Sequence, residues 1–153
     1  MTSTRPDLAH DDLERPAGHS AAGRVVPDWH NPELQGCGSL WSTIEDLLVY
    51  VRANIHPDRT SLPDAIRLTH APRGPAGKNR LVGLGWLISP TDTGHVHWHN
   101  GGTSGFGSFI GFNSESKIGV AVLVSRAHSE ELDQAAMAVL ADLRHLADQP
   151  AAP

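Results

Sequence analysis

His95-Val96-His97-Trp98-His99-Asn100-Gly101-Gly102-Thr103-Ser104-Gly105-Phe106 is the stretch on which the fold depends. Side chains alternate along an extended backbone, so His95, His97 and His99 share one face and Val96 and Trp98 the other. A strand is predicted over 95–100, and it runs into a turn in which glycines at 101, 102 and 105 remove the Cβ. Bare N–H groups at such a bend are open to an anion or a developing oxyanion. The same residues also read as an ordinary hairpin connection, and the flanking segments have to decide between the two.

Outward from this stretch, further strands are predicted over 81–88, 107–113 and 118–125, with connections short enough for antiparallel neighbours. Ile118-Gly-Val-Ala-Val-Leu-Val is apolar without alternation, which predicts cover on both faces. One cover is a final helix opened by Ser129 and carrying Leu132, Ala135, Ala136, Val139, Leu140, Leu143 and Leu146. Upstream, Ser42 and Glu45 fit a capping box, and Ile44, Leu47, Leu48, Val51 and Ile55 form a helical stripe over 43–55 that Pro57 ends. A shorter helix is predicted over 63–69, a loop over 71–80 and a short strand at 24–26. The fold class is therefore α+β, an antiparallel sheet of about four strands with a C-terminal helix packed on it and one or two preceding helices. Little besides the 43–55 helix is available for the second cover, so an apolar sheet face is expected to stay open to a partner. Residues 1–17 and 149–153 read as tails with little structure, leaving 18–148 as one domain.

With 12 Lys and Arg against 17 Asp and Glu, the net charge of −5 argues against nucleic acid and anionic membrane surfaces as partners. No run approaches the roughly 18 consecutive apolar residues of a membrane span. The first residues lack the apolar middle of a secretion signal, so the polypeptide as written is expected to be cytoplasmic. The one cysteine, Cys37, reads as a small buried apolar residue.

Ten histidines invite a metal test. His95, His97 and His99 on one strand face suit zinc where a neighbouring strand supplies another ligand, but the sequence identifies no such partner. Ser104 lies in Gly102-Thr-Ser-Gly-Phe106, which lacks the last glycine of a nucleophile elbow. A literal S-x-x-K occurs at Ser114-Glu-Ser-Lys117, yet it falls in a turn between two strands, whereas that pair needs a helical turn to stack. No Gly-Lys-Ser/Thr follows the glycines, which removes a phosphate loop. What survives is an oxyanion-type turn without an attacking group, and no cofactor is implied.

The segment order resembles the serine β-lactamase-like hydrolases, especially the class C β-lactamase, D-alanyl-D-alanine carboxypeptidase and esterase branch. The pieces that carry the resemblance are Gly18-His-Ser-Ala-Ala-Gly-Arg-Val-Val-Pro, Gly36-Cys-Gly-Ser-Leu-Trp-Ser-Thr-Ile-Glu-Asp-Leu-Leu, Gly83-Leu-Gly-Trp, Trp98-His-Asn-Gly-Gly-Thr-Ser-Gly-Phe and Gly119-Val-Ala-Val-Leu-Val-Ser. The resemblance implies a partial β-lactamase/transpeptidase-like fold, with His99-Asn100-Gly101 in the place of the family's H-x-G or K-T-G motif. It further implies that the Gly102 N–H is an oxyanion donor and that His99 and Asn100 help to place an acyl substrate. The family's S-x-x-K nucleophile and Y-x-N motif have no counterpart before residue 95, where the only lysine is Lys78 and the only tyrosine is Tyr50.

Three functions follow as expectations. The first is the C-terminal half of such a hydrolase, inactive alone and partnered by the missing N-terminal half or by a second copy through the open sheet face. The second is a non-catalytic binding or assembly module of the same fold, and the third is a zinc protein using His95, His97 and His99.

Overall fold

The computed structural model describes residues 1–6, 15–30, 33, 36–92 and 94–147. In chain order the elements are β1 (Arg5–Pro6), β2 (Leu40–Trp41), α1 (Ile44–Ile55), α2 (Pro63–His70), β3 (Gly74–Pro75), β4 (Leu81–Val82), β5 (Leu87–Thr91), β6 (Gly94–Gly102), β7 (Gly107–Asn113), β8 (Ile118–Val124) and α3 (Glu130–Ala147). A single 3-10 turn at Pro57–Arg59 joins α1 to α2.

The expectation of four strands is corrected to six, paired antiparallel in the order β3-β4-β5-β6-β7-β8. The strand expected over 81–88 is broken because Gly83 N–H donates to the Trp86 carbonyl at 2.8 Å and Gly85 sits at φ +76. That left-handed φ suits glycine, and it folds Leu81–Val82 back onto Leu87–Ile88. The additional β3 lies inside the segment expected to be loop and pairs Gly74 with Val82. The strand expected at 24–26 is reduced to one bridge between His19 and Val25.

Alternation builds two cores on this sheet. On one face Ile88, Trp86 and Phe112 meet Val51 and Ile55 of α1; on the other Val96, Trp98 and Phe109 meet Ala136 and Leu140 of α3. Phe109 and Phe112, both essentially inaccessible, occupy opposite faces of β7 because their spacing is odd. Helices therefore clad both faces over β7 and β8. The sheet face expected to be open is covered by α1, and what remains unpaired among the described residues is the outer edge of β3 at one end of the sheet and that of β8 at the other.

The start of α1 is one residue later than the capping box suggests. Thr43, rather than Ser42, is the N-cap, its Oγ1 accepting from Asp46 N–H at 3.3 Å. Asp46 itself is buried and collects the N–H groups of Thr2 and Ser3 at 3.2 and 2.8 Å and the Thr4 hydroxyl at 2.8 Å. Burial raises its pKa, but these donors outweigh it and hold the carboxyl below its ordinary range. Residues 1–6, expected to be part of a tail, are thus tied down, and β1 pairs Arg5 with Trp41 and Pro6 with Leu40. The remaining tail residues 7–14 and 149–153 lie outside the described residues, while Arg15 places its guanidinium 4.4 Å from the centre of the Trp41 ring.

Gly119 lets α1 sit close on β8, since a Cβ there would collide with Val51 Cγ1 and fall 3.3 Å from Ile55 Cδ1. Gly119→Ala is expected to lift α1 from β8 and cost about 1–3 kcal/mol. A lowered urea midpoint at unchanged m-value checks it.

Candidate functional site

Strand β6 divides its side chains between the two cores, and this division defines the site. Val96, Trp98 and Asn100 face α3, whereas His95, His97, His99 and Gly101 look out on the side of α1 and α2. His97 lies flat on Phe112, ring centroids 5.2 Å apart and planes 9° apart, and beside His70 at 4.9 Å. Its Nε2 is 3.3 Å from the His70 carbonyl oxygen, and its Nδ1 is buried without a hydrogen-bond partner among the described residues. His70, the last residue of α2, is held by the Asn54 side-chain oxygen at 2.8 Å. His99 is exposed, with Nδ1 2.6 Å from the Asn100 carbonyl oxygen.

The three strand histidines do not converge. Neighbouring positions on one strand face are about 6.6 Å apart, and His97 turns into the aromatic cluster while His95 and His99 stay exposed. Among the described residues no group of three or more His, Cys, Asp or Glu is placed to hold a metal ion, so the zinc reading of His95, His97 and His99 has no geometric basis.

The resemblance gives Asn100 a place beside substrate, but its amide goes to the opposite face from His99. Asn100 Nδ2 donates to Asp133 Oδ2 at 2.6 Å and lies 3.4 Å from His128 Nε2, which is itself 2.8 Å from Asp133 Oδ1. This group ties the end of β6 to the first turn of α3. His128 also fills the space over Gly102, where a Cβ would fall 2.9 Å from His128 Cβ.

Gly102 pairs with Gly107 at the last register position of the β6–β7 hairpin, and Thr103 N–H closes the turn on the Phe106 carbonyl at 3.0 Å. Gly105 serves a second backbone rather than a ligand: a Cβ there would be 2.6 Å from Gly18 Cα, and His19 N–H donates to the Gly105 carbonyl at 3.0 Å. Trp41 braces the turn edge-on against Phe106 at 5.3 Å. The turn is thus pinned from three sides, while Gly102 itself remains exposed.

The groups that sequence reasoning missed are His70, Asn54, Ser108, His128 and Asp133. Ser108 is the cross-strand partner of Gly101, and its Oγ lies where a Cβ on Gly101 would come to 2.5 Å. Ser114 to Lys117 form the β7–β8 turn, with Lys117 at φ +59 and Ser116 N–H donating to the buried Asn113 Oδ1 at 2.8 Å. That is not the helical turn an S-x-x-K pair requires. Tyr50 stacks on Trp86 at 6.1 Å, and Cys37, expected to be buried, is exposed.

A His-x-Gly strand runs into a braced glycine turn on an antiparallel sheet between helices, and that architecture defines the class as α+β. The chain belongs to the β-lactamase family, whose model matches residues 2–144. Among solved structures, a class C β-lactamase mutant superposes with a TM-score of 0.73 at 19% identity, over 82% of this chain and 43% of that one. A β-lactamase/D-alanine carboxypeptidase from Pseudomonas syringae gives a TM-score of 0.78 at 18% identity, over 97% and 50%. The chain therefore spans about half the length of the solved structures it resembles. No curated protein matches it.

Burial lowers the pKa of His70 to about 4, with His97 adding to the shift, and burial likewise lowers that of His97. Both rings fold neutral, whereas the unfolded chain binds its imidazole protons near pH 6.5. Their contribution is complete above pH 6.5 and is lost as pH falls from there towards 4. The half-exposed setting brings it to about 1–2 kcal/mol for His70. Stability measured by urea across this window should fall with decreasing pH, and His70→Gln should flatten most of the slope. Separately, Asp133→Ala leaves the Asn100 amide and the His128 ring without their acceptor and is expected to cost about 1–3 kcal/mol in the same assay.

Proposed function

We propose that this chain is the C-terminal half of a β-lactamase-like serine hydrolase, contributing the H-x-G strand and a backbone oxyanion donor to an acyl-transfer site. The observation that carries the reading is the pairing of coverages: nearly all of this chain superposes on about half of a β-lactamase/D-alanine carboxypeptidase. The substrate class is acyl, a β-lactam, a D-alanyl peptide or an ester.

The chemistry divides between the halves. Covalent acyl transfer needs an activated hydroxyl and a group that carries its proton. Lys117 lies in a turn and Lys78 in the loop between β3 and β4, so neither stands one helical turn from a serine as the S-x-x-K arrangement demands. The nucleophile and its proton carrier are assigned to the complementing half. This half supplies the Gly102 N–H, which in a water-excluded site is worth a few kcal/mol of barrier, and the exposed imidazole of His99 to orient the acyl group. The commitment of the Asn100 amide to Asp133 favours one alternative, a binding or assembly module that keeps the fold without the reaction.

Incubating the purified chain with a fluorescent penicillin and a fluorophosphonate tests the hydrolase reading. No covalent label is expected on the chain by itself. An adduct mapped by mass spectrometry to Ser104, Ser108 or Ser114 would show that the chain carries its own nucleophile, and the half-enzyme reading would fall.

A further inference from the structure

Helix α2 enters the core through a single ring. It adds no apolar residue to the cluster on its side of the sheet, which among the described residues is built from Val51, Ile55, Trp86, Ile88 and Phe112. Instead its last residue, His70, turns its imidazole into that cluster, 5.1 Å from the Phe112 ring and 6.3 Å from that of Trp86. Asn54 fixes how the imidazole is held. Its Nδ2 donates to the Tyr50 carbonyl at 2.9 Å, so its Oδ1 faces His70 and accepts the Nε2 proton at 2.8 Å. The other ties of α2 stay outside the core: Arg67 bonds to Asp58 in the preceding 3-10 turn, and the Thr69 carbonyl accepts from Leu84 N–H at 2.9 Å.

A second proton on that imidazole meets no free counter-charge. Two clefts, of about 440 and about 290 Å³, flank the end of α2, and His70 and Arg67 line both. The titratable and charged groups that share them are His56 at the end of α1, Asp58 and Arg59 of the 3-10 turn, His95 and His97 of β6 and Lys117 of the β7–β8 turn. The one carboxylate in this set, Asp58, is already bonded to Arg67. The groups in direct contact, Asn54, Phe112 and Trp86, are neutral. Burial, with His97 adding to it, holds the pKa of His70 down at about 4. Released into water the same imidazole titrates near 6.5, so across that interval proton binding favours release.

We propose that His70 is an acid-operated latch, whose protonation frees the segment from Pro57 to His70 while α1, the six-stranded sheet and α3 stay folded. The 3-10 turn and α2 move as one piece because the Arg67–Asp58 pair joins them, and the pivots are His56 and the extended backbone at Ala71. Besides the His70 ring contacts, the segment gives up the Leu84–Thr69 backbone bond and the contact of His97 Nε2 with the His70 carbonyl. What opens is one recess. Lifting the end of α2 removes the partition between the two clefts and uncovers the His97 ring where it lies on Phe112. The two proton affinities set the sign. Opening is unaffected above about pH 6.5, gains about tenfold for each unit below about pH 6, and levels off near pH 4, where the docked ring is protonated too. The latch does not depend on the hydrolase reading.

Hydrogen exchange of the full chain, followed by NMR from about pH 7 to about pH 4.5 with each amide rate divided by its intrinsic rate at that pH, tests the latch. Amides of α2 beyond its first turn are expected to be less protected than those of α1 and β7 at every pH, and to lose about tenfold in protection per unit below about pH 6. H70Q can still donate to Asn54 but cannot take up a proton, so it should keep the neutral-pH protection of α2 and lose the pH dependence. H97Q should retain that dependence. Should H70Q fail to fold, the wild-type series decides alone. Amides of α2 that exchange in step with α1 and β7 at every pH report only global unfolding, and α2 protection that is flat with pH reports no latch; either result overturns the proposal. It is overturned equally if H70Q keeps the wild-type slope or H97Q abolishes it.

Discussion

The division of β6 between two environments is the constraint on which the molecule rests. One strand must give α3 an apolar surface through Val96 and Trp98 and must also present imidazoles to the other side. Strict alternation makes the two demands compatible, and a slip of one residue would bury His97 and His99 against α3 while exposing Trp98. The register is held at the glycine end by the Asn100–Asp133–His128 group and in the middle by Trp98, whose indole N–H donates to Ser89 Oγ at 3.0 Å. The site face therefore inherits its geometry from contacts made on the face behind it.

Much of this was legible in the sequence. Alternation over 95–100, the turn residues bounding 107–113 and the unbroken apolar run from 118 marked the strands ending near 100, 113 and 124, and the 3.6-residue stripe marked α1, because those signals come from each segment's own burial. The split of the 81–88 strand was hidden among its apolar residues, where Gly83, through its N–H to the Trp86 carbonyl, and Gly85, through its positive φ, make the bend. The anchoring of residues 2–4 was invisible for another reason. Its partner, Asp46, lies more than forty residues away and reads locally as an ordinary first-turn acid.

The candidate site was less legible. His99, Gly101 and Gly102 lie at the end of β6, the two glycines inside the strand rather than in the turn expected after residue 100. The destination of Asn100 was not readable, since its acceptor is on a helix 33 residues further on. Two of the glycines that looked like a ligand cradle proved to accommodate the protein itself, Gly105 against Gly18 and Gly102 under His128. A bare backbone marks close approach, and pattern alone does not say by what. The histidine ladder misled in the same way: equal spacing on a strand does not bring rings together, and an aromatic neighbour claimed the middle one.

The six strands of the main sheet follow one another in space in the same order as in the chain. Each is laid down beside the strand synthesised just before it, so the loop-closure entropy of every pairing is small. A polypeptide wired in this way can assemble its sheet hairpin by hairpin as it leaves the ribosome, with no wait for a distant segment to arrive.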